Sequence, residues 1–399
     1  MLTTDYLIIG AGIIGLTVAR EFQRQDPGAR VMCIDKESSI GKHASGRNSG
    51  VLHSGIYYPS DSLKARFTRE GNLAWQAYCD EKALPIDRCG KLIVARNQTE
   101  HNQLAILQAR ARDNEVSVKR MDTLQIQELE PRALTYKDAL FVPSTATVDP
   151  MQLLGAQQAD FVQAGGKLLL NHPYHGREEN RIIRSGQERI KAGKVINCAG
   201  LYADKVAHDF GFGLRYTLLP FKGLYHYAKL DMIAPRCHIY PVPDLRNPFL
   251  GVHLTRTMNG GTKIGPTAIP AFWREHYGGL SGWRFNEFFE VISRELQMLV
   301  TNRNNFRNLA WQEIRKYRGQ TMINEAAMLM AGVAITEFDR TGRPGIRAQL
   351  VERSNNQLVM DFVIEGDEYS THVLNAISPA WTCAMPLSEY VVAQCLQMK

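Results

Sequence analysis

The chain has no run of eighteen consecutive apolar residues, so no segment reads as a membrane-spanning helix. Its seven cysteines (Cys33, Cys79, Cys89, Cys198, Cys237, Cys383 and Cys395) include no Cys-x-x-Cys pair. That spacing excludes the common zinc sites, and no metal is expected. An odd, scattered set reads as reduced thiols of a cytoplasmic protein rather than as a disulfide framework. No basic flank followed by an apolar run and small residues opens the chain, so a cleaved secretory signal is not expected. There is also no run of five or six basic residues, although the formal net charge is +7. Nucleic acid is therefore not expected as a partner. The dispersed charge suits an anionic small-molecule substrate or an anionic membrane surface, the latter implying peripheral contact at the inner face of a membrane. Repeats, low-complexity tracts and Pro/Gly linkers are absent too. A chain of 399 residues without a linker suggests two interleaved lobes rather than two consecutive ones.

What is present begins at once. Residues 5–9 form a short apolar run, read as a buried parallel strand. Gly10-Ala11-Gly12-Ile13-Ile14-Gly15 follows as a turn into a helix, on which Ile14, Val18 and Phe22 recur at helical spacing. Residues 26–28 (Asp, Pro, Gly) end that helix, and 30–34 form a second strand closed by Asp35 and Lys36. This is the dinucleotide fingerprint in its required strand–turn–helix context. Gly10 allows the turn, Gly12 lets a pyrophosphate approach the backbone, and Gly15 lets the helix pack against the strand. The N–H groups of the first helical turn, at Ile13 and Ile14, would face the pyrophosphate. Asp35 lies twenty residues beyond Gly15, where a carboxylate accepts from a ribose diol and repels a 2′-phosphate. The fingerprint alone does not separate FAD from NAD. Its place at the head of the chain, before a long polar loop and a β-rich later half, suits a flavoprotein better.

Further along, 41–55 reads as a loop, 63–82 as a helix, 92–95 as a strand, and 100–115 and 150–164 as helices. Residues 194–199 read as an apolar strand. Strands are expected at 222–229, 237–241, 249–254 and 262–266. The stretch 283–332 is helical in pattern, and its only assigned role is contact with a partner or a membrane surface. The chain returns to strands at 347–351, 359–365 and 371–375 and ends in a helix at 385–397.

Several segments together resemble the L-2-hydroxyglutarate dehydrogenase/oxidase family, within the D-amino-acid-oxidase-like FAD superfamily. They are 44–58 (Ala44-Ser45-Gly46-Arg47-Asn48-Ser49-Gly50 through His53 to Tyr58), 89–95, 198–204, 240–244, 248–255, 264–268, 345–349 and 375–380. They run in colinear order over nearly the whole chain. The resemblance implies an α/β fold: a Rossmann-like FAD-binding domain of glutathione-reductase type, with an interleaved α+β substrate domain on a mainly antiparallel sheet. The expected division is 1–90, 145–215 and 340–399 for FAD, and 91–144 with 216–339 for substrate. It implies FAD as cofactor, held additionally by Ser45, Arg47, Asn48, Ser49, Gly50, Cys198, Ala199, Gly200, Gly345, Arg347, Ser378, Pro379 and Ala380. The chain departs from the family at 44–47, where Gln-Thr-Gly-His is usual, and at Trp381, where a small residue is usual. Asp35 stands where Glu is usual. The first two departures bear on the substrate.

Oxidising a 2-hydroxy acid requires a cation for the carboxylate, a base for the hydroxyl proton and an acceptor for the hydride. Arginine matches a carboxylate bidentately, and histidine titrates near working pH. His253 is the expected base or substrate ligand, His53 a ring contact, Arg347 the carboxylate clamp, and Arg256 a weaker second clamp beside Lys222. Tyr57, Tyr225 and Tyr240 would line the pocket. Backbone N–H groups at 378–380, taken as the start of the last helix, would stabilise negative charge on the reduced ring. Oxygen, a quinone or a carrier would take the electrons, and a homo-oligomer is allowed. Two other readings stand beside this one: a sister enzyme for another 2-hydroxy or amino acid, and a nucleotide-binding module without catalysis.

Overall fold

The computed structural model describes residues 1–398 except 180, 230, 231, 233, 246–249 and 303–305. The chain divides into two compact units, each assembled from separated segments.

The first unit comprises Met1–Asn48, Pro150–Pro220 and Arg347–Lys399. Its sheet is centred on the strand Leu2–Ile9, paired in parallel with Val31–Ile34 on one side and Glu188–Asn197 on the other. Lys167–Leu169 extends it beyond Val31–Ile34, and Ser370–Leu374 beyond Glu188–Asn197, both in parallel. Leu7, Ile9, Met32, Ile34, Ile190 and Val195 share one core. The helix Ile13–Gln25 buries Ile13, Ile14, Leu16, Val18 and Phe22 and packs on the helices Pro150–Gln163 and Ala384–Gln397. Leu16 and Phe22 are fully buried, each contributing roughly 1.5–3 kcal/mol over exposure.

The second unit comprises Ser49–Asp149 and Phe221–Ile346. Its main sheet runs, edge to edge, through Phe338–Thr341, His226–Ala228, Thr262–Gly265, His253–Arg256, His238–Pro241, Lys91–Val94, Ala139–Val142 and Lys119–Met121. Every pairing that places the central strands is antiparallel except His238–Pro241 with Lys91–Val94. Alternation along these strands separates two faces. Leu92, Val94, Ile239, Leu254 and Ile264 join Met322, Ile323 and Ala326 of the helix Gly319–Ala327 in one apolar core. The opposite parity carries Lys91, His238, Tyr240, His253, Thr255 and Lys263, all buried.

Residues 49–90 fall in the second unit rather than with the dinucleotide fold. Val51–Leu52 and Ile86–Asp87 both pair with Ala146–Val148, which ties them to that unit. The expected strand 222–229 is two strands, Tyr216–Gly223 and His226–Ala228. The expected strand at 249–254 forms later, as His253–Arg256, because Gly251 adopts φ +76°, outside the extended region. Residue 249 of that strand, and 248 of the resembling stretch 248–255, lie outside the described residues. The helical stretch 283–332 is three helices, Phe285–Thr301, Phe306–Arg315 and Gly319–Ala327, with 303–305 outside the described residues.

Candidate functional site

In the first unit, the turn after Leu2–Ile9 is sterically closed to any side chain. Gly10 has φ +106°, and a Cβ there would lie 2.5 Å from the Cys198 carbonyl oxygen. A Cβ on Gly15 would meet the Gly10 carbonyl oxygen at 1.8 Å. Gly12 caps the helix without a side-chain bond, and no acid occupies the first turn. Such a helix start suits an anion. Ser45 Oγ accepts from Ile13 N–H at 2.9 Å, so the loop expected to touch the cofactor lies at this helix start. Asp35 Oδ2 accepts from Ala11 N–H at 2.8 Å and Oδ1 from Glu37 N–H at 2.9 Å. The carboxylate thus braces the turn, and each oxygen keeps a second lone pair for a ribose hydroxyl.

The other cofactor candidates differ in how they are held. Lys36 pairs with Glu37 at 2.7 Å. Arg47 Nε donates to the Lys42 carbonyl at 2.5 Å, and Asn48 Nδ2 to the Ser45 carbonyl at 2.7 Å. Cys198 N–H donates to the Ile9 carbonyl and Ala199 N–H to Asn197 Oδ1, which seats 198–200 beside the fingerprint strand. Burial raises the Cys198 thiol to about 12, so it is no nucleophile. Gly200 takes φ +53°. Trp381 Nε1 donates to the Ser45 carbonyl at 3.2 Å, so the two departures at 44–47 and 381 meet. Arg347 is half-buried on the strand Gly345–Glu352. Ser378, Pro379 and Ala380 do not start the last helix. It begins at Ala384, and Ala380 N–H is already bonded to the Ile377 carbonyl at 2.8 Å. That N–H is therefore engaged within the chain, contrary to the charge-stabilising role expected of it.

In the second unit, Ser49 Oγ accepts from Val51 N–H at 3.3 Å, and Gly50, at φ +72°, accepts from Val148 N–H. The polar face of the main sheet gathers His253, Lys91, His238, Lys263 and Tyr240. His253 stacks on Tyr240 with ring centroids 3.7 Å apart. Its Nδ1 lies 3.0 Å from the Gly251 carbonyl, which only accepts, so Nδ1 carries the hydrogen and Nε2 keeps a lone pair. Burial pushes this histidine well below 6.5, and the charges of His53, His238 and Lys91 add to the effect against the Gly251 bond. Burial and then Lys91 take half-buried His53 down to about 3. His238 is satisfied on both nitrogens: Nδ1 accepts from Arg256 N–H and Nε2 faces Thr147 Oγ1 at 3.0 Å. That makes it a brace rather than a base.

In the sequence Lys91 and Lys263 are legible only as polar residues at inward strand positions. Lys91 Nζ is fully buried without a hydrogen-bond partner. It sits over the rings of Tyr57, at 4.5 Å, and Tyr240, at 5.3 Å. Burial lowers it to about 7. Lys263 donates to the Ser49 carbonyl at 2.7 Å, and burial lowers it to about 8 against the pull of Asp149. Arg256, by contrast, is taken. It bonds Asp87 at 2.6 Å and the Pro235 carbonyl at 3.2 Å, and its parity points it away from His253. It is not a second carboxylate clamp.

This face disfavours positive charge on every titratable member, so an arriving anion relieves it. Replacing Lys91 with Met is expected to stabilise the ligand-free protein by a few kcal/mol below pH 7, where Lys91 carries its proton in the folded and the unfolded chain alike. Between about 7, its folded value, and 10.5, its ordinary value, the unfolded chain binds the extra proton. The advantage of the variant should shrink across that window. Thermal unfolding of both proteins against pH measures it, and an equal gap at every pH would contradict it.

A glycine-bounded turn under a helix start, with a carboxylate at the end of the next strand, is the arrangement of a dinucleotide-binding protein. The family model for FAD dependent oxidoreductases (DAO) matches residues 5–393. L-2-hydroxyglutarate dehydrogenase of Escherichia coli (strain K12) is 32% identical over 406 residues, covering 98% of this chain and 92% of that one. The mitochondrial L-2-hydroxyglutarate dehydrogenase of Bos taurus is 33% identical over 420 residues, covering 98% and 89%. The chain belongs to the FAD dependent oxidoreductase family, in which these relatives are named L-2-hydroxyglutarate dehydrogenase, and FAD is its cofactor. In fold it is similar to L-alpha-glycerophosphate oxidase of Mycoplasma pneumoniae (TM-score 0.77, 19% identity, 99% and 95% of the two chains). It is also similar to glycine oxidase of Geobacillus kaustophilus (TM-score 0.73, 15% identity, 100% and 96%).

Proposed function

We propose that this protein oxidises L-2-hydroxyglutarate to 2-oxoglutarate. The observation that carries the reading is the buried polar face of the second unit. It offers a neutral histidine with a fixed lone pair beside two buried lysines, an environment suited to a dianionic hydroxy acid. The relatives bearing that activity in their names support it. When bound, FAD supplies the hydride acceptor. The fingerprint 10–15, Asp35, Ser45 and 198–200 are the residues we assign to hold it. His253 Nε2 accepts the hydroxyl proton, and His53, kept neutral by burial and Lys91, contacts the reacting region. On the second unit, Lys91 and Lys263 lend their field to an arriving carboxylate; Arg347, on the first unit, is assigned separately as a carboxylate partner.

The Trp381–Ser45 bond favours a second reading, in which the substrate is another 2-hydroxy acid or an amino acid. Anaerobic bleaching of the flavin by a panel of such acids separates the two. L-2-hydroxyglutarate is expected to bleach it fastest. An oxidised flavin in its presence, with bleaching by another member, would transfer the assignment to that member.

A further inference from the structure

In the second unit Arg256 is bound to Asp87, Lys263 to the Ser49 carbonyl, and Lys91 Nζ is sealed from solvent. Lys222, expected beside Arg256 as a carboxylate contact, is in a different state. It is 4% exposed. Its Nζ has no hydrogen bond, ion pair or ring contact with a described residue, and unlike that of Lys91 it is not closed off from solvent. Burial alone lowers it below its ordinary value, with no acid pulling against that. The nearby acids are engaged elsewhere. Glu290 pairs with Arg274 at 3.7 Å, and Glu287 accepts from Arg274 N–H. Glu313 pairs with Lys316 at 2.6 Å and accepts from Ala268 N–H. A buried cation without a counter-charge is costly, and an anion relieves it.

The backbone brings a second donor to this cation. Lys222 lies opposite Ile269 in the pairing of Tyr216–Gly223 with Ile269–Pro270. Thr267 Oγ1 donates to the Lys222 carbonyl at 2.9 Å and accepts from Leu224 N–H at 3.0 Å, which fixes that stretch. Just after Pro270 the chain folds into a turn, in which His276 N–H donates to the Trp273 carbonyl at 3.2 Å. The His276 ring stacks on Trp273 with centroids 3.9 Å apart, and Trp273 Nε1 donates to the Ser281 carbonyl at 2.8 Å. His276 Nδ1 accepts from Phe272 N–H at 3.3 Å, so the hydrogen is on Nε2. That N–H has no acceptor among the described residues. Burial and then the Lys222 charge take His276 down to about 4, so it is a neutral donor within the field of Lys222. Gly265 stands opposite His253, and a Cβ on it would lie 2.5 Å from the carbonyl oxygen of Leu224, two residues from Lys222. The pair thus lies near the base candidate, in the same unit. One cation and one neutral donor match a monoanion with two oxygens.

We propose that Lys222 Nζ and His276 Nε2–H seat the distal carboxylate of the hydroxy acid and so select a dicarboxylic substrate, an inference that rests on the L-2-hydroxyglutarate reading. Anaerobic reduction of the flavin-loaded full chain tests it. The two substrates are L-2-hydroxyglutarate and L-2-hydroxyvalerate, which keeps the five carbons and lacks the distal carboxylate. Lys222→Met is expected to cut the ratio of kcat/KM for the diacid over the monoacid about tenfold to a hundredfold. His276→Phe, which keeps a ring on Trp273, should cut it about tenfold, and Lys222→Arg should keep most of it. Glutarate has no hydroxyl to oxidise, and its Kd, read from the oxidised flavin spectrum, should rise by similar factors. An unchanged ratio and glutarate affinity in the folded variants would overturn the proposal, as would equal losses on both acids. His276→Phe decides alone if the thermal midpoint shows that Lys222→Met does not fold. Bleaching of the wild type by another acid, and not by L-2-hydroxyglutarate, would remove the substrate reading. Glutarate binding that depends on Lys222 would then keep the pair as a carboxylate seat, and glutarate binding that ignores Lys222 would remove the seat as well.

Discussion

Replacing Gly15 with alanine is expected to yield protein that retains no flavin and is recovered poorly in soluble form. The added Cβ would sit 1.8 Å from the Gly10 carbonyl oxygen and 3.3 Å from Ile8 Cγ2. The first clash is with backbone, so no side-chain rotation relieves it. The helix Ile13–Gln25 would have to lift from Leu2–Ile9, loosening its contacts with Pro150–Gln163 and Ala384–Gln397. It would also draw the Ile13 N–H away from Ser45 Oγ. Overpacking against a fixed backbone typically costs about 1–3 kcal/mol and occasionally more, and here the cofactor cradle lies at the point of strain. Gly28→Ala is the control, because its nearest neighbour, Asp26 Oδ1, is 4.0 Å away. The flavin absorbance ratio and thermal midpoint of the two variants report the result. A yellow, stable Gly15→Ala protein would show that the turn is not the cofactor seat.

Replacing His253 with glutamine should slow anaerobic flavin reduction by L-2-hydroxyglutarate by about 10²–10⁴, the usual range for loss of a positioned base. The flavin should stay bound. In the parent protein, burial keeps His253 well below 6.5, so it remains an unprotonated acceptor throughout the neutral range. The profile of kcat/KM should therefore show no loss near pH 6.5 on the acid side. It should decline on the alkaline side as Lys91, near 7, gives up the charge that favours an anion. Glutamine at 253 should lower the profile without moving that alkaline decline, whereas Lys91→Met should remove the decline. A parent profile with an acid limb near 6.5 would move the base to a more exposed group. An unchanged reduction rate in the variant would take the proton from His253 altogether, leaving His53 as the next candidate.

Much of the first unit was readable from the chain because its signals are local. A strand, a glycine turn, a helix of period 3.6 and a second strand follow one another within 35 residues, and each glycine answers a steric demand set by near neighbours. Elsewhere distant pairing decides the outcome. Residues 49–90 were expected with the dinucleotide fold, but Ala146–Val148 captures their short strands. Pro379 resembles a helix opener, yet the Ile377 carbonyl takes the Ala380 N–H and the helix waits until Ala384. Arg256 lies only three residues from the base candidate, but that odd step puts it on the opposite face of the strand, where it bonds Asp87. Lys91 opens an otherwise apolar strand and gives no sign of charge chemistry until its partners are known.

The sequence by itself determined the glycine turn between strand and helix and the alternation that makes a half-polar sheet, because bond geometry and side-chain volume act over a few residues. Tertiary structure alone decided that Lys91, His238, Tyr240, His253 and Lys263, drawn from four strands spread over more than a hundred residues, share one buried face. It alone fixed which nitrogen of His253 is bare and turned the apolar side of Phe285–Thr301 toward solvent. Those outcomes depend on desolvation and long-range pairing, whose energies exist only once the chain has closed.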